Sequence, residues 1–381
     1  MKYLIVRCED HAAGPSESPS PLLEGAKLVH LRNLAQAGAA GTLRLKHRSV
    51  LTERFPTHQA LLGLGAAGAG TAAGRCAAAR LGIRLSDDET AWCVTLVTQH
   101  DGRVADPAAG GIPTKEGREL LAALNEQLGA ETRRWVGGEG EQHLLIVRDP
   151  ALRPDEASAI PGPEALVGRA WGRSLPRGPL GSALRRLIEQ ASQILEAHPV
   201  NRVRSDLGEN PANGVWIWGA STGDARPPEG MPWTSGAVVS DAFLVQGLAR
   251  AIGWVDSPIG HSLTASTVKR LCAKILEHVE AHQVVYVHLA VSARTPVERQ
   301  VAMERIDTLL LQPCSSGLSA AGPSRMLVIV DDCASGDGLV VATGHGLPHQ
   351  AVASLKSDAF AQSPLRFTDA GSLSAWLRQD T

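Results

Sequence analysis

The chain has 381 residues, 44% of them hydrophobic, and a formal net charge of −2. That length buries a large core, as one large α/β unit or as two domains. The near-neutral charge, the 4% aromatic content and the lack of a basic stripe argue against a nucleic-acid or anionic-membrane surface. No apolar run approaches transmembrane length. The N-terminal run is too short for a signal peptide and is followed by Arg7, Glu9 and Asp10. Six cysteines are scattered without a CxxC pair, the pattern of reduced thiols in a cytoplasmic protein.

In chain order, Tyr3–Val6 reads as a buried parallel strand. The polar turn Arg7-Cys8-Glu9-Asp10-His11 follows at its C-terminal end, where open α/β sheets bind ligands. A helix is expected over Leu28–Ala37, stopped by Gly38, and a strand over Thr42–Leu45. The small-residue tract from Gly65 to Gly74 lacks the Lys-Ser/Thr of a phosphate-binding P-loop. It reads as a loop or a close-packed helix. Ala91–Thr98 is a strand, Lys115–Leu128 an amphipathic helix and Leu144–Val147 a strand. Pro150–Pro179 is rich in Pro and Gly, like a linker, and Ala183–His198 is a helix that breaks at Pro199.

The stretch from His198 to Gly219, HPVNRVRSDLGENPANGVWIWG, stands apart. Its first half reads as a loop and Val215–Trp218 as a short buried strand. Arg and Asn at the lip of a strand suit an anion, because a planar fork and amide donors both reach phosphate oxygens. The bland alternative is a structural loop whose Asn residues satisfy backbone groups. Beyond it, Ala237–Val239, Val284–Leu289 and Met326–Val330 read as strands, with Val340–Ala342 as a short edge strand. Leu244–Ile252, Ser266–His282, Val301–Leu311 and Ser372–Leu377 read as helices. Alternating strand and helix predict a parallel sheet covered on both faces.

The HPVNR…PAN…WIWG pattern resembles the archaeal-type, cofactor-independent phosphoglycerate mutases of the alkaline phosphatase superfamily. Weaker likeness runs through most of the chain. The resemblance implies an α/β core of residues 1–85 and 215–381, with a smaller α+β substrate-type domain inserted at 86–214. It also implies two divalent metals (manganese, magnesium or zinc) and a Ser or Thr nucleophile that carries the phosphoryl group.

The motifs for that chemistry are altered. Arg54 falls at the nucleophile position, with Thr52 and Thr57 nearby but out of register. Two metal-ligand positions fall near Ala293 and Val297. The insert's Pro-His-Asp becomes Pro163, Glu164 and Ala165. The groups left for a metal are Glu9, Asp10, Asp332, Cys333 and His345. Arg75, Asn201, Arg202, Asn213 and Lys269 match anion-binding positions. These expectations make the chain a catalytically degenerate homologue, a pseudoenzyme that binds a phosphorylated metabolite or a protein partner and needs no cofactor. The alternatives are an active metal-dependent mutase or phosphotransferase with a rearranged site, and a structural or interaction protein without ligand. An oligomer is compatible with each. Arg75, Arg202 and Lys269 are expected to meet in one cleft, with Arg54 in the place of a lost metal.

Overall fold

The computed structural model describes residues 1–10, 23, 25–45, 51–64, 73–154, 160–224, 230–260, 262–291, 295–332 and 337–379. Thirteen strands form two sheets among these residues. In chain order they are β1 (Lys2–Asp10), β2 (Ala39–Arg44), β3 (Thr90–His100), β4 (Arg103–Asp106), β5 (Arg133–Glu139), β6 (Gln142–Val147) and β7 (Gly214–Thr222). Then come β8 (Gly236–Val239), β9 (Val255–Ser257), β10 (Val284–Val291), β11 (Ser324–Asp332), β12 (Asp337–Gly344) and β13 (Arg366–Phe367). The larger sheet has the order β13-β2-β12-β11-β1-β10-β8-β9. β1 lies at its centre, parallel to both β10 and β11. Strands covered on both faces need apolar side chains in both directions, which explains the unbroken runs YLIV, VVYV and MLVIV.

The helices are α1 (Val29–Ala37), α2 (Leu51–Leu61), α3 (Ala73–Arg80), α4 (Thr114–Leu128), α5 (Pro179–Ala197) and α6 (Pro199–Asp206). They continue with α7 (Phe243–Ala251), α8 (Ala265–Ala281), α9 (Pro296–Ile306), α10 (Gln312–Ala320), α11 (Ser357–Ala361) and α12 (Ala370–Arg378). One face of the larger sheet carries Leu4, Val6, Val285, Val287 and Val328, and packs on α1, α8, α9 and α10. The other face carries Tyr3, Ile5, Tyr286 and Ile329. Its core continues through α2, α3, α7 and α12 into the second sheet. No described helix is long and apolar enough to cross a membrane.

The α/β class stands, with several differences in detail. β7 pairs with β3 and so belongs to the second sheet, which therefore ends at Thr222 rather than at residue 214. β12 is an interior antiparallel strand between β11 and β2, not a short edge strand. Residues 199–206 form α6 instead of a loop. Pro199 occupies the first helical turn, where its missing N–H costs nothing, and the His198 ring accepts from Val200 N at 3.2 Å. Proline starts this helix as well as ending the one before it. The small-residue tract is helical from Ala73, and a Cβ on Gly74 would collide with the Ala91 carbonyl oxygen. Residues 65–72 of that tract lie outside the described residues.

Candidate metal centre

Three parallel strands each end with polar side chains on the face that is apolar lower down. On β1 the alternation Tyr3, Ile5 continues as Arg7, Glu9. On β10 it runs Val284, Tyr286, His288, and on β11 it runs Leu327, Ile329, Asp331. The parallel register sets Arg7 opposite His288. α2 lies across this face and supplies His58, and β8 leads into Ser240. Arg7, Glu9, His58, Tyr286, His288, Asp331 and Ser240 are all buried. Charged and polar groups held so far from water need partners, and these find one another.

His288 Nε2 lies 2.9 Å from Glu9 Oε2, and its Nδ1 lies 3.0 Å from Ser240 Oγ. His58 Nε2 lies 3.5 Å from the same Glu9 oxygen, and its Nδ1 lies 2.6 Å from the Tyr286 hydroxyl. The Arg7 guanidinium grips Asp331 with both Nε and Nη2, at 3.3 and 2.9 Å. Nη2 is also 3.5 Å from Glu9 Oε2. Burial works against the Arg7 charge, but Asp331 and Glu9 more than offset it, and the guanidinium is held firmly protonated. Burial pushes the Tyr286 phenol above its ordinary range, and although Arg7 pulls it down, Glu9 and Asp331 add to the rise. Tyr286 therefore remains a neutral hydroxyl. Cys8 is also buried, and its thiol is pushed up to about 12, first by burial and then by Asp331. It is an inert thiol.

Glu9, His58 and His288 offer three ligand atoms within 4.8 Å of one another. Donors bound to one zinc-like ion at about 2.1 Å stand roughly 3.4 Å apart. The 3.5 Å pair meets that spacing and the 2.9 Å pair must open slightly. When each Nδ1 donates its hydrogen to the neighbouring hydroxyl oxygen, both Nε2 lone pairs face Glu9. Tied rings of this kind are how metal-binding histidines are commonly oriented. The donor set thus fits one divalent ion, with a position left for another ligand. His288 also lines a cleft of about 480 Å³ at the C-terminal ends of β8 and β10. Asp241, Thr264, Glu298 and Arg305 line it too. That is the edge at which parallel α/β sheets bind ligands.

Of the residues expected from sequence, Glu9 alone among those described is found in this centre. Asp10, Asp332 and Arg54 lie on β1, β11 and α2, but their side chains fall outside the described residues, as does Cys333. His345 does not belong here. β12 runs antiparallel to β11, and Arg325 pairs with Gly344, so His345 is exposed at the opposite edge of the sheet from Asp331. Val297 is exposed on α9, and Ala293 lies outside the described residues.

The expected anion-binding groups do not converge. Lys269 is exposed on α8, which packs against the other face of the large sheet. It borders a surface hollow with Thr308 and Gln312. Arg75 is on α3, between α7 and the second sheet, with its Nε buried and lacking a hydrogen-bond partner. Arg202 is exposed on α6. Asn201 is consumed locally: its amide donates to Leu195 O and Ala212 O and accepts from Ala212 N. Asn213 likewise exchanges hydrogen bonds with the Gln99 backbone. The buried arginine of this segment is Arg204, outside the expected group, bonded to Glu116 and Glu209 and to the carbonyls of Ala109 and Asn210.

Tyr286, His288 and Asp331 escape a reading of each strand as a single apolar run, and His58 lies on α2, outside any strand pattern. The available signal was the period-two alternation that carries one face of three strands from apolar to ionisable at the same level.

Residues 35–201 match the family described as 2,3-bisphosphoglycerate-independent phosphoglycerate mutase. Proteins named as such mutases include one from Methanosarcina barkeri, 29% identical over 67% of this chain and 65% of its own length. Another, from Methanothrix thermoacetophila, is 26% identical over 87% of this chain and 86% of its own length. In sequence this chain is similar to the 2,3-bisphosphoglycerate-independent phosphoglycerate mutases over most of its length. The fold agrees. A cofactor-independent phosphoglycerate mutase structure from Thermoplasma acidophilum superposes with a TM-score of 0.58 at 22% identity, covering 99% of each chain. A Pyrococcus horikoshii protein gives 0.66 at 17%, covering 100% of this chain and 98% of its own.

Proposed function

We propose that the chain is an active, metal-dependent phosphotransferase of the phosphoglycerate mutase type with a rearranged centre, acting on a small phosphorylated acid. The observation that carries this reading is the buried Glu9–His58–His288 cluster, with both rings aimed by hydroxyl partners. The names of the curated relatives support the active alternative over a degenerate one. A divalent ion held by these three residues would polarise a phosphoryl oxygen. The chain's own groups do the rest. Arg7 adds a permanent positive charge beside the ligands. Tyr286 and Ser240 fix the ring orientations, and burial strengthens each electrostatic contact by excluding water. Ser240 is wholly buried and bonded to His288 and Ala242 N, so its role is to orient the ring.

Phosphorus NMR of 3-phosphoglycerate mixed with the protein and manganese, magnesium or zinc tests the reading. We expect conversion, either to the 2-phospho isomer or to free phosphate. Isomerisation would mean that a group of the chain carries the phosphoryl in transit. Glu9→Gln and His288→Ala are each expected to slow the conversion by at least about a hundredfold. No conversion with any of the three metals would overturn the proposal.

A further inference from the structure

We infer that Arg7 is a built-in cation that limits the centre to a single metal ion and keeps Asp331 from becoming a metal ligand. The inference rests on the single-ion reading above and concerns what the chain does with its second carboxylate.

Among the described residues, two carboxylates face this buried space, Glu9 and Asp331, and they have different company. Glu9 is approached by two imidazole nitrogens, at 2.9 and 3.5 Å. Asp331 is held by the guanidinium, one nitrogen to each oxygen, at 3.3 and 2.9 Å. Arg7 Nη1 lies 3.5 Å from both ring nitrogens of His58. The guanidinium therefore fills the space between Asp331, His58 and Glu9, where a cation bridging the two carboxylates would otherwise sit.

The charges agree with this geometry. Among the described residues, two carboxylates and one guanidinium meet here, so carboxylates outnumber fixed cations by one. One divalent ion on the Glu9 side would reverse that balance, which suits a phosphate ester. A second ion would have to displace Arg7 from Asp331 and then sit beside a like charge in a medium that screens poorly. A guanidinium keeps its charge at any working pH, so it cannot step aside by losing its proton.

The test is metal stoichiometry, read by zinc titration calorimetry of chelator-treated protein. Sites that survive Glu9→Gln are subtracted as background. Wild type is expected to bind one zinc per chain. Arg7→Met keeps the apolar stem, removes the charge and frees Asp331. It is expected to bind two, and the second is expected to vanish in Arg7→Met/Asp331→Asn. If Arg7→Met does not fold, Asp331→Asn alone decides. It should bind one zinc with affinity within about threefold of wild type, because Asp331 is not a ligand. A fall of tenfold or more would overturn the inference. Two zinc ions in wild type would also overturn it while leaving the metal-dependent reading intact. No zinc in wild type would remove the reading on which the inference stands.

Discussion

The HPVNR…PAN segment and the ends of β1, β10 and β11 are both dense in polar residues, and they put them to opposite uses. In the first, polar groups face their own backbone. Asn201 joins the end of α5 to Ala212, Asn213 clamps Gln99, and Arg204 reaches two carbonyls as well as two carboxylates. In the second, side chains from five separate segments face one another, and few of their bonds go to backbone. A cluster turned on the main chain fixes a shape. A cluster turned on itself leaves charge and lone pairs aimed at a common point, which a ligand can use. Unusual composition marks both, and only the direction of the hydrogen bonds separates them.

The sharpest way to break that contrast is Arg204→Met. The head group is buried, and its loss strands the Ala109 and Asn210 carbonyls while Glu116 and Glu209 regain water at their more exposed positions. A stability loss of about 2–4 kcal/mol is expected in urea unfolding. Zinc affinity of the folded fraction should stay at the wild-type value. A variant of normal stability that loses zinc or phosphate-ester binding would show that the segment is part of the site after all.

A smaller effect separates the centre from the second sheet by their histidines. His58 and His288 each face a carboxylate, whereas His143 on β6 faces none. Its Nδ1 accepts from Gly138 N at 2.8 Å, and its Nε2 is buried without a hydrogen-bond partner. Burial, with Arg118 adding to it, lowers the His143 pKa to about 3. The folded value lies below the unfolded one, so the neutral ring favours the fold above the ordinary histidine range. That contribution is lost as pH falls, when the unfolded chain takes up a proton that the native ring refuses. Between about pH 6 and pH 4, wild type should lose about 1.4 kcal/mol more per pH unit than His143→Gln. Equal slopes in paired urea titrations would mean that the ring is protonated in the fold.

Much of the fold was legible because packing leaves long, regular traces. The runs of β1, β10 and β11 and the stripes of α4, α5 and α8 need only local pattern to be seen. The strands β4 and β5 left weaker traces, since RVAD and RRWVGGE bury only scattered positions. The partnership of β7 with β3 is a long-range pairing that no local pattern reveals. The centre was legible only at Glu9. His58 sits in α2, a helix containing Pro56 and with little amphipathic pattern, and it gains its meaning from β1 and β10 across the core. Spacing along the chain says nothing of such a meeting.

The smallest expected effects belong to Arg202 and Lys269, and they bear directly on the contrast. The resemblance implies an anion-binding position for each, and a shared cleft would make either one costly to remove. In the fold Arg202 is exposed on α6, while Lys269 is exposed on α8, on the far face of the large sheet. An exposed side chain with no structural duty is worth within about 0.5 kcal/mol of stability. A lone surface cation outside the site adds little to binding once salt screens it. Arg202→Ala and Lys269→Ala should therefore leave both the melting temperature and the calorimetric affinity for 3-phosphoglycerate at wild-type values in 0.15 M salt. A drop of tenfold or more from Arg202→Ala alone would mean that α6 reaches the ligand. Its helix would then be a working part of the site, and the contrast would have to be redrawn between single residues of one segment.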